Sequence, residues 1–376
     1  MLQKNKIKDE IANLGSLVLS NPWFGVGGLE RVYLAITSAT KDASIVVAKN
    51  FHDLQSFPFY FGAHKPFPSI FDIDLFVGGE SPHVHLVMNA ALERYFALHP
   101  GHVSAHVTNH WGMFFPPVAM VEKSIVYFQP GVWEMENVLK IPELLRLYKD
   151  TLQERIVLAN SAFMKALLKE QFGCDARVLY PCTDTLFFAD ARDSRKKEHD
   201  VMVFSRLNAG KQFSAALDLF KDVARQRPGS KFLVAGAIRR EDMTFLDELK
   251  AIARKEGIER AITFVPNPSL LDLKNLYAAT RLLVFFPKNE PLGLVPVEAM
   301  VSGVPVVAFD SGGVKETVIP GKTGVLCKDE VEMAEVIGNL LADEKKLEGM
   351  RGNTGLVVEK FSEETFLRNF LAEIKR

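Results

Sequence analysis

Short unbroken apolar runs recur through the second half of the chain, at Val201–Phe204, Phe232–Ala235, Ile262–Val265, Leu282–Phe286 and Val304–Phe309. Such runs suit strands buried on both faces. Between them, apolar residues recur at helical spacing over Gln212 to Val223, with Pro228-Gly229 as punctuation, and over roughly Glu241 to Glu256, closed by Gly257. Ser269, with Asp272 three residues on, forms an acidic version of a capping box and predicts the next helix. A further helix is expected over Pro296–Val301, with proline at its first position, and another after the turn Asp310-Ser311-Gly312-Gly313. Strands alternating with helices of this length imply parallel βαβ units in a doubly wound sheet.

The first half repeats the alternation more faintly. Leu17–Leu19, Ile45–Ala48, Leu75–Val77, Ser124–Phe128, Ile156–Ala159 and Val178–Tyr180 are strand candidates, and a glycine-rich turn, Gly25 to Gly28, leads into a helix from Leu29. Residues 1–189 are therefore expected to form one Rossmann-like domain and residues 200–360 a second. The charged stretch 190–199 is the expected linker. Residues 361–376 read as a helix capped by Ser362, with Phe366, Leu367, Phe370, Leu371 and Ile374 on one face. That face either packs on the second domain or crosses back to the first.

Composition narrows the class. A net charge of −1 lacks the basic footprint of a nucleic-acid binder. Three cysteines, Cys174, Cys182 and Cys327, have no metal spacing and leave an odd thiol, which suits a reducing, cytoplasmic setting. Met1 to Glu10 lacks an apolar signal core, and no apolar run approaches the roughly 20 residues that span a bilayer. A soluble or peripheral protein is expected.

The sharpest chemistry lies between Asn289 and Met300. A buried strand ends near Phe286, a loop carries Glu290 and Gly293, and a helix follows. Free amides around Leu294 and Val295 at the positive end of that helix make an anion site suited to a diphosphate, and Gly293 lets the backbone approach it. Glu290 and Glu298 flank this position and can accept hydrogen bonds from sugar hydroxyls. The competing reading of Glu298 is a helix cap near the third helical position. A second feature is Ser205-Arg206-Leu207-Asn208-Ala209-Gly210-Lys211, which follows a strand. Lys211 at a helix start opposes the dipole, and a bound anion relieves that conflict. A diphosphate leaving group gathers negative charge as its bond breaks and needs such cations. The plain alternative is two ordinary surface cations.

Together these features resemble glycosyltransferase family 4, the retaining glycosyl transferases group 1. That family includes bacterial phosphatidylinositol mannosyltransferases and is related to glycogen synthases. The resemblance rests on Glu290 and Glu298 with seven residues between them and on Arg206 with Lys211. Gly303-Val304-Pro305-Val306, Gly312-Gly313, Glu316 and Gly321-Lys322-Thr323-Gly324 follow in the family's order. It is strong from Val178 to Leu326 and weaker at Gly27-Gly28-Leu29-Glu30-Arg31-Val32. It implies a GT-B fold, two Rossmann-like domains facing across a cleft, with the nucleotide sugar held by the C-terminal one. Residue by residue, it implies Glu290 on the donor sugar, Glu298 on the ribose, and Arg206 and Lys211 on the diphosphate, with the Gly293 and Leu294 backbone. The base falls near Val265 to Asn267, and Gly28 lets the first helix approach the donor phosphate. The family retains anomeric configuration and generally needs no metal, so neither metal nor cofactor is expected beyond the donor itself. Two positions depart from the pattern. Ser205 stands where a glycine is usual, and Gln129, which cannot titrate, stands where many relatives have a histidine.

The implied activity is transfer of a hexose, mannose or glucose, from a nucleotide sugar to a glycan or lipid-linked glycan. The alternatives are a nucleotide-sugar epimerase of the same fold and a non-catalytic relative that binds the sugar nucleotide. Trp111 and Gln129 are acceptor-side candidates. Asp72-Ile73-Asp74 resembles a metal motif of another fold but precedes the expected strand Leu75–Val77. His102, His106 and His110 recur every fourth residue, in a stretch that reads as loop and short strand rather than as a zinc-binding helix face. The aromatic residues between Phe51 and Phe71, and Trp111 with Met113, Phe114 and Phe115, are expected mainly to pack inside. Exposed, with Lys140, Arg146, Lys149 and Arg155 nearby, they suit a lipid-linked acceptor or contact with the cytoplasmic face of a membrane.

Overall fold

The structure, a computed structural model, describes residues 7, 9–24, 28–50, 69–72, 84–110, 112–115, 120–128, 130, 132–192, 196–208, 211–238 and 243–376. The chain divides into two compact units, Met1–Thr183 with Lys360–Arg376, and Asp184–Glu359. Residues 190–199, the expected linker, lie within the second unit.

Among the described residues, the first unit has a parallel sheet of β1 (Leu17–Phe24), β2 (Ala43–Asn50), β3 (Ser69–Asp72), β4 (Val103–Thr108), β5 (Val121–Phe128), β6 (Ile156–Ala159) and β7 (Arg177–Val178). Their order is β3-β2-β1-β4-β5-β6-β7. Leu17–Leu19 is only the start of β1, and residues 75–77, expected as a strand, lie outside the described residues. Asp72 is the last residue of β3. Asp74 lies outside the described residues.

The sheet is covered by helices including Gly28–Ala39, Val84–Leu98 and Ala162–Phe172. The last of these shows why such segments start and stop where they do. Ser161 accepts the Met164 amide at its N-terminus, and Gly173 takes the left-handed conformation (φ 68°) that ends it. The helix Glu363–Lys375 also belongs to this unit. Ser362 caps it, and Phe366, Leu367, Phe370, Leu371 and Ile374 share a core with Leu19, Val32 and Ile36. Burying each such side chain contributes roughly 1.5–3 kcal/mol. At the rim Arg177 Nε pairs with Glu373 Oε2 at 2.6 Å.

A buried polar chain crosses the middle of this sheet. Thr108 Oγ1 donates to the Asn109 carbonyl at 3.1 Å, and Ser20 Oγ donates to Thr108 Oγ1 at 2.9 Å. Each hydroxyl has one proton, so the 2.8 Å contact between His106 Nε2 and Ser20 Oγ requires the imidazole to donate. His106 is thus a buried structural group on β4, while His102 is exposed against Glu122. Met113 and Phe115 are buried, and Phe114 is half-buried against the Tyr148 ring. Arg155 is not part of an exposed basic face. It is partly buried and donates to the Phe115 carbonyl at 2.9 Å.

The second unit's sheet has β8 (His199–Phe204), β9 (Phe232–Gly236), β10 (Ile262–Pro266), β11 (Thr280–Phe285), β12 (Val306–Phe309) and β13 (Gly324–Cys327), all parallel, in the order β10-β9-β8-β11-β12-β13. β9 and β12 are wholly buried, as their unbroken apolar runs predict, while the edge strand β10 is mostly half-buried. The expected capping box of Ser269 and Asp272 is present. After Asp310–Gly313 the chain makes only a single 3-10 stretch, Gly312–Glu316, where a helix is expected from sequence.

Candidate active site

In an open parallel sheet, the chain leaves neighbouring strands in opposite directions where the strand order reverses. The crevice beyond the carboxyl ends of those strands is where ligands bind. In the second unit that reversal falls between β8 and β11. The loop after β8 carries Arg206 and Lys211, and the loop after β11 carries Glu290 and Gly293.

These two loops meet. Lys211 Nζ lies 2.8 Å from Glu290 Oε2, with the side chains 17% and 27% exposed. The pair is sheltered enough for its charges to be felt and open enough for a ligand to reach. Arg206 is exposed on the same loop. That loop is held close to the sheet. Leu207 N–H donates to the Ala237 carbonyl at 2.7 Å, and a Cβ at Gly236 would fall 1.8 Å from the Ser205 carbonyl oxygen. Only glycine fits there.

Gly293 precedes the helix Leu294–Val301, with φ 91° and no side chain to cap it. The first amides of that helix have no intrahelical acceptor, and Leu294 and Val295 are half-buried. Pro296 is the third helical residue rather than the first, because the helix begins two residues earlier than expected. It is still in the first turn, where a missing N–H breaks no bond. Glu298 accordingly stands fifth, past the capping positions, and the helix has no side-chain cap. Its carboxylate is 1% exposed and accepts a hydrogen bond of 3.5 Å from the Tyr277 hydroxyl.

The Glu290 loop is braced by the turn after β12. Asn289 is left-handed (φ 54°), its N–H donates to Ser311 Oγ at 3.0 Å, and Gly313 N–H donates to the Glu290 carbonyl at 2.8 Å. Cβ atoms at Gly312 and Gly313 would fall 2.7 Å and 2.1 Å from the Glu290 and Pro291 carbonyl oxygens. Beyond β9 and β10, Val265 is half-buried and Asn267 is left-handed (φ 49°). Asn267 ties the two strand ends together. Its N–H donates to the Gly236 carbonyl and its Oδ1 accepts from Ile238 N–H, both at 2.8 Å.

In the first unit the reversal falls between β1 and β4. Gly28 opens the helix that follows β1. Trp111 and Gln129 lie outside the described residues. Sequence reasoning missed Tyr277, Gly236 and Ser311. Tyr277 carries no local signal, because it is one apolar position among several in its helix. Among the described residues, no cluster of three or more His, Cys, Asp or Glu is placed to hold a metal ion, and no helix is long and apolar enough to cross a membrane.

The glycosyl transferases group 1 family matches residues 186–355, nearly the whole second unit. Human alpha-1,3/1,6-mannosyltransferase ALG2 is 28% identical over 232 residues, 56% of this chain and 56% of that protein. The chain spans about half the length of the relatives it matches. Among solved structures, sucrose-phosphate synthase from Thermosynechococcus elongatus superposes with a TM-score of 0.78 at 19% identity, over 94% of this chain and 97% of that one. Anabaena HepE in complex with UDP and glucose does so at 0.74 and 20%, over 96% and 99%. The fold of this chain is GT-B, each unit being a doubly wound parallel α/β domain.

Proposed function

We propose that this chain is a retaining glycosyltransferase that moves a hexose, mannose or glucose, from a nucleoside-diphosphate sugar to a glycan or lipid-linked glycan. The observation that carries this reading is the Lys211–Glu290 pair at the β8/β11 reversal, beside the glycine-led helix that buries Glu298. Lys211, Arg206 and the amides of Gly293, Leu294 and Val295 meet the diphosphate. Glu298 takes the ribose, Glu290 takes sugar hydroxyls, and the backbone from Val265 to Asn267 takes the base. As the sugar's anomeric carbon parts from the phosphate oxygen, the bonding electrons go to the diphosphate, and these cations and amides hold the added charge. The acceptor oxygen bonds to the anomeric carbon on the face the phosphate leaves, and the leaving phosphate oxygen takes the acceptor's proton. Gln129 does not titrate and is not given that proton.

The diphosphate charge is met by side chains and amides, so the reaction runs without a bound metal or cofactor. The acceptor is assigned to the first unit. Were the aromatic residues between Phe51 and Phe71 exposed, they would suit a lipid-linked acceptor met at the cytoplasmic face of a membrane. The test is incubation with UDP- and GDP-sugars and a panel of glycan and lipid-linked acceptors, with the product anomer read by NMR. A retained anomer supports the reading. An inverted product, or sugar interconversion without an acceptor, overturns it.

A further inference from the structure

We infer that Tyr277 is the positioning residue for Glu298, and that through this carboxylate it sets the site's preference for a ribose diol. The inference rests on the assignment of Glu298 to the ribose made above.

A carboxylate that is 1% exposed needs hydrogen-bond partners to stay charged at low cost, and the direction of those partners sets how its plane is presented to a ligand. The Tyr277 hydroxyl donates to Oε2 at 3.5 Å. The donor is itself packed in the core. Tyr277 is fully buried, with its ring edge-on to Phe188 at 5.9 Å and to Phe204 at 6.1 Å. Phe204 ends β8, two residues before Arg206, and Phe188 belongs to the helix Thr185–Ala189, which packs on the helix of Glu298. One aromatic cluster thus ties the Glu298 carboxylate to the start of the loop that carries both cations. A hydrogen bond to Oε2 from behind restrains rotation of the carboxylate, and a planar acceptor so restrained discriminates better between a diol and its absence.

A ring that served only as core filling would not care about the hydroxyl. Tyr277→Phe keeps the ring and removes only the oxygen, so the variant separates the two roles. UDP and GDP, each beside its 2′,3′-dideoxy form, are titrated calorimetrically into the wild type, Tyr277→Phe, Glu298→Gln and the double variant, with melting temperature as the folding control. Wild type should prefer the ribose form. Tyr277→Phe should narrow that preference by about tenfold, the scale of one hydrogen bond to a charged group, and leave affinity for the dideoxy form unchanged. In the Glu298→Gln background the same substitution should add nothing to the loss of preference. An undiminished preference in a folded Tyr277→Phe overturns the inference while leaving the transferase reading intact. So does an equal loss for the ribose and dideoxy forms. Failure of the wild type to bind any nucleoside diphosphate overturns both.

Discussion

Lys211 and Glu290 are each other's counter-ion at 2.8 Å, so a diphosphate bound at the adjacent helix, as proposed, would compete with Glu290 for the ammonium and turn that carboxylate toward the sugar. Glu290→Ala should therefore cut turnover by a hundredfold or more, the roughly 3–4 kcal/mol that one preorganised transition-state partner supplies, while melting temperature changes little. Steady-state kinetics check this, and near-normal turnover in the folded variant would remove Glu290 from the reaction. His106 belongs to the residue scale for a different reason. Burial first, and then the Arg155 charge, lower its pKa from 6.5 to about 3. The unfolded chain binds a proton that the folded one refuses, so stability is full above about 6.5 and is lost as pH falls toward 3, at about 1.4 kcal/mol per pH unit. His106→Gln should destabilise at pH 7, and its deficit against wild type should shrink as pH falls to 4. Urea midpoints across that range test it, and parallel pH curves would show that His106 is not the group responsible.

At the scale of elements, the site is two strand-to-helix loops pressed against each other and against a third. The turn after β12 supports the Glu290 loop through glycines with no room for a side chain. Gly313→Ala drives a methyl into the Pro291 carbonyl, so backbone must shift. Overpacking of this kind costs roughly 1–3 kcal/mol, and here it should fall on nucleoside diphosphate affinity, weakening it about tenfold, because the loop moves with it. Calorimetry with UDP and GDP reads this out, and an unchanged affinity would mean that the loop is not part of the donor site. Much at this scale was legible in advance. The Ser269–Asp272 box, the Ser362 cap and the central strands of the second sheet follow from local pattern alone. Where a helix starts was less legible. Leu294 and Val295 look like loop residues before a proline, and only the left-handed Gly293 shows that the helix has already begun.

For the whole molecule, each unit has its own sheet and core. A chain cut to residues 184–359 should fold and bind nucleoside diphosphate, since Arg206, Lys211, Glu298 and the helix amides remain together, and it should transfer no sugar. Calorimetry beside a transfer assay checks both halves, and transfer by the fragment would refute the division of labour. The intact chain should keep full activity in a chelator. Loss of activity that manganese or magnesium restores would contradict a charge balance built from cations and amides alone, and would return attention to Asp72 and Asp74.

Sequence by itself determined the alternation of buried strands with amphipathic helices, and it marked Glu290, Glu298, Arg206 and Lys211 by their spacing. Periodicity reports which face of an element is buried, and a motif reports which chemistry lies on one short loop. Neither reports which elements become neighbours. That β11 lies beside β8 rather than β10 is decided by how the crossover helices pack on the sheet, and this order brings Lys211 to Glu290 across 79 positions of sequence. The same packing places Tyr277 behind Glu298 and puts the helix Glu363–Lys375 in the core of the first unit. An apolar stripe says only that something must cover it, and the partner is chosen by shape and burial in three dimensions.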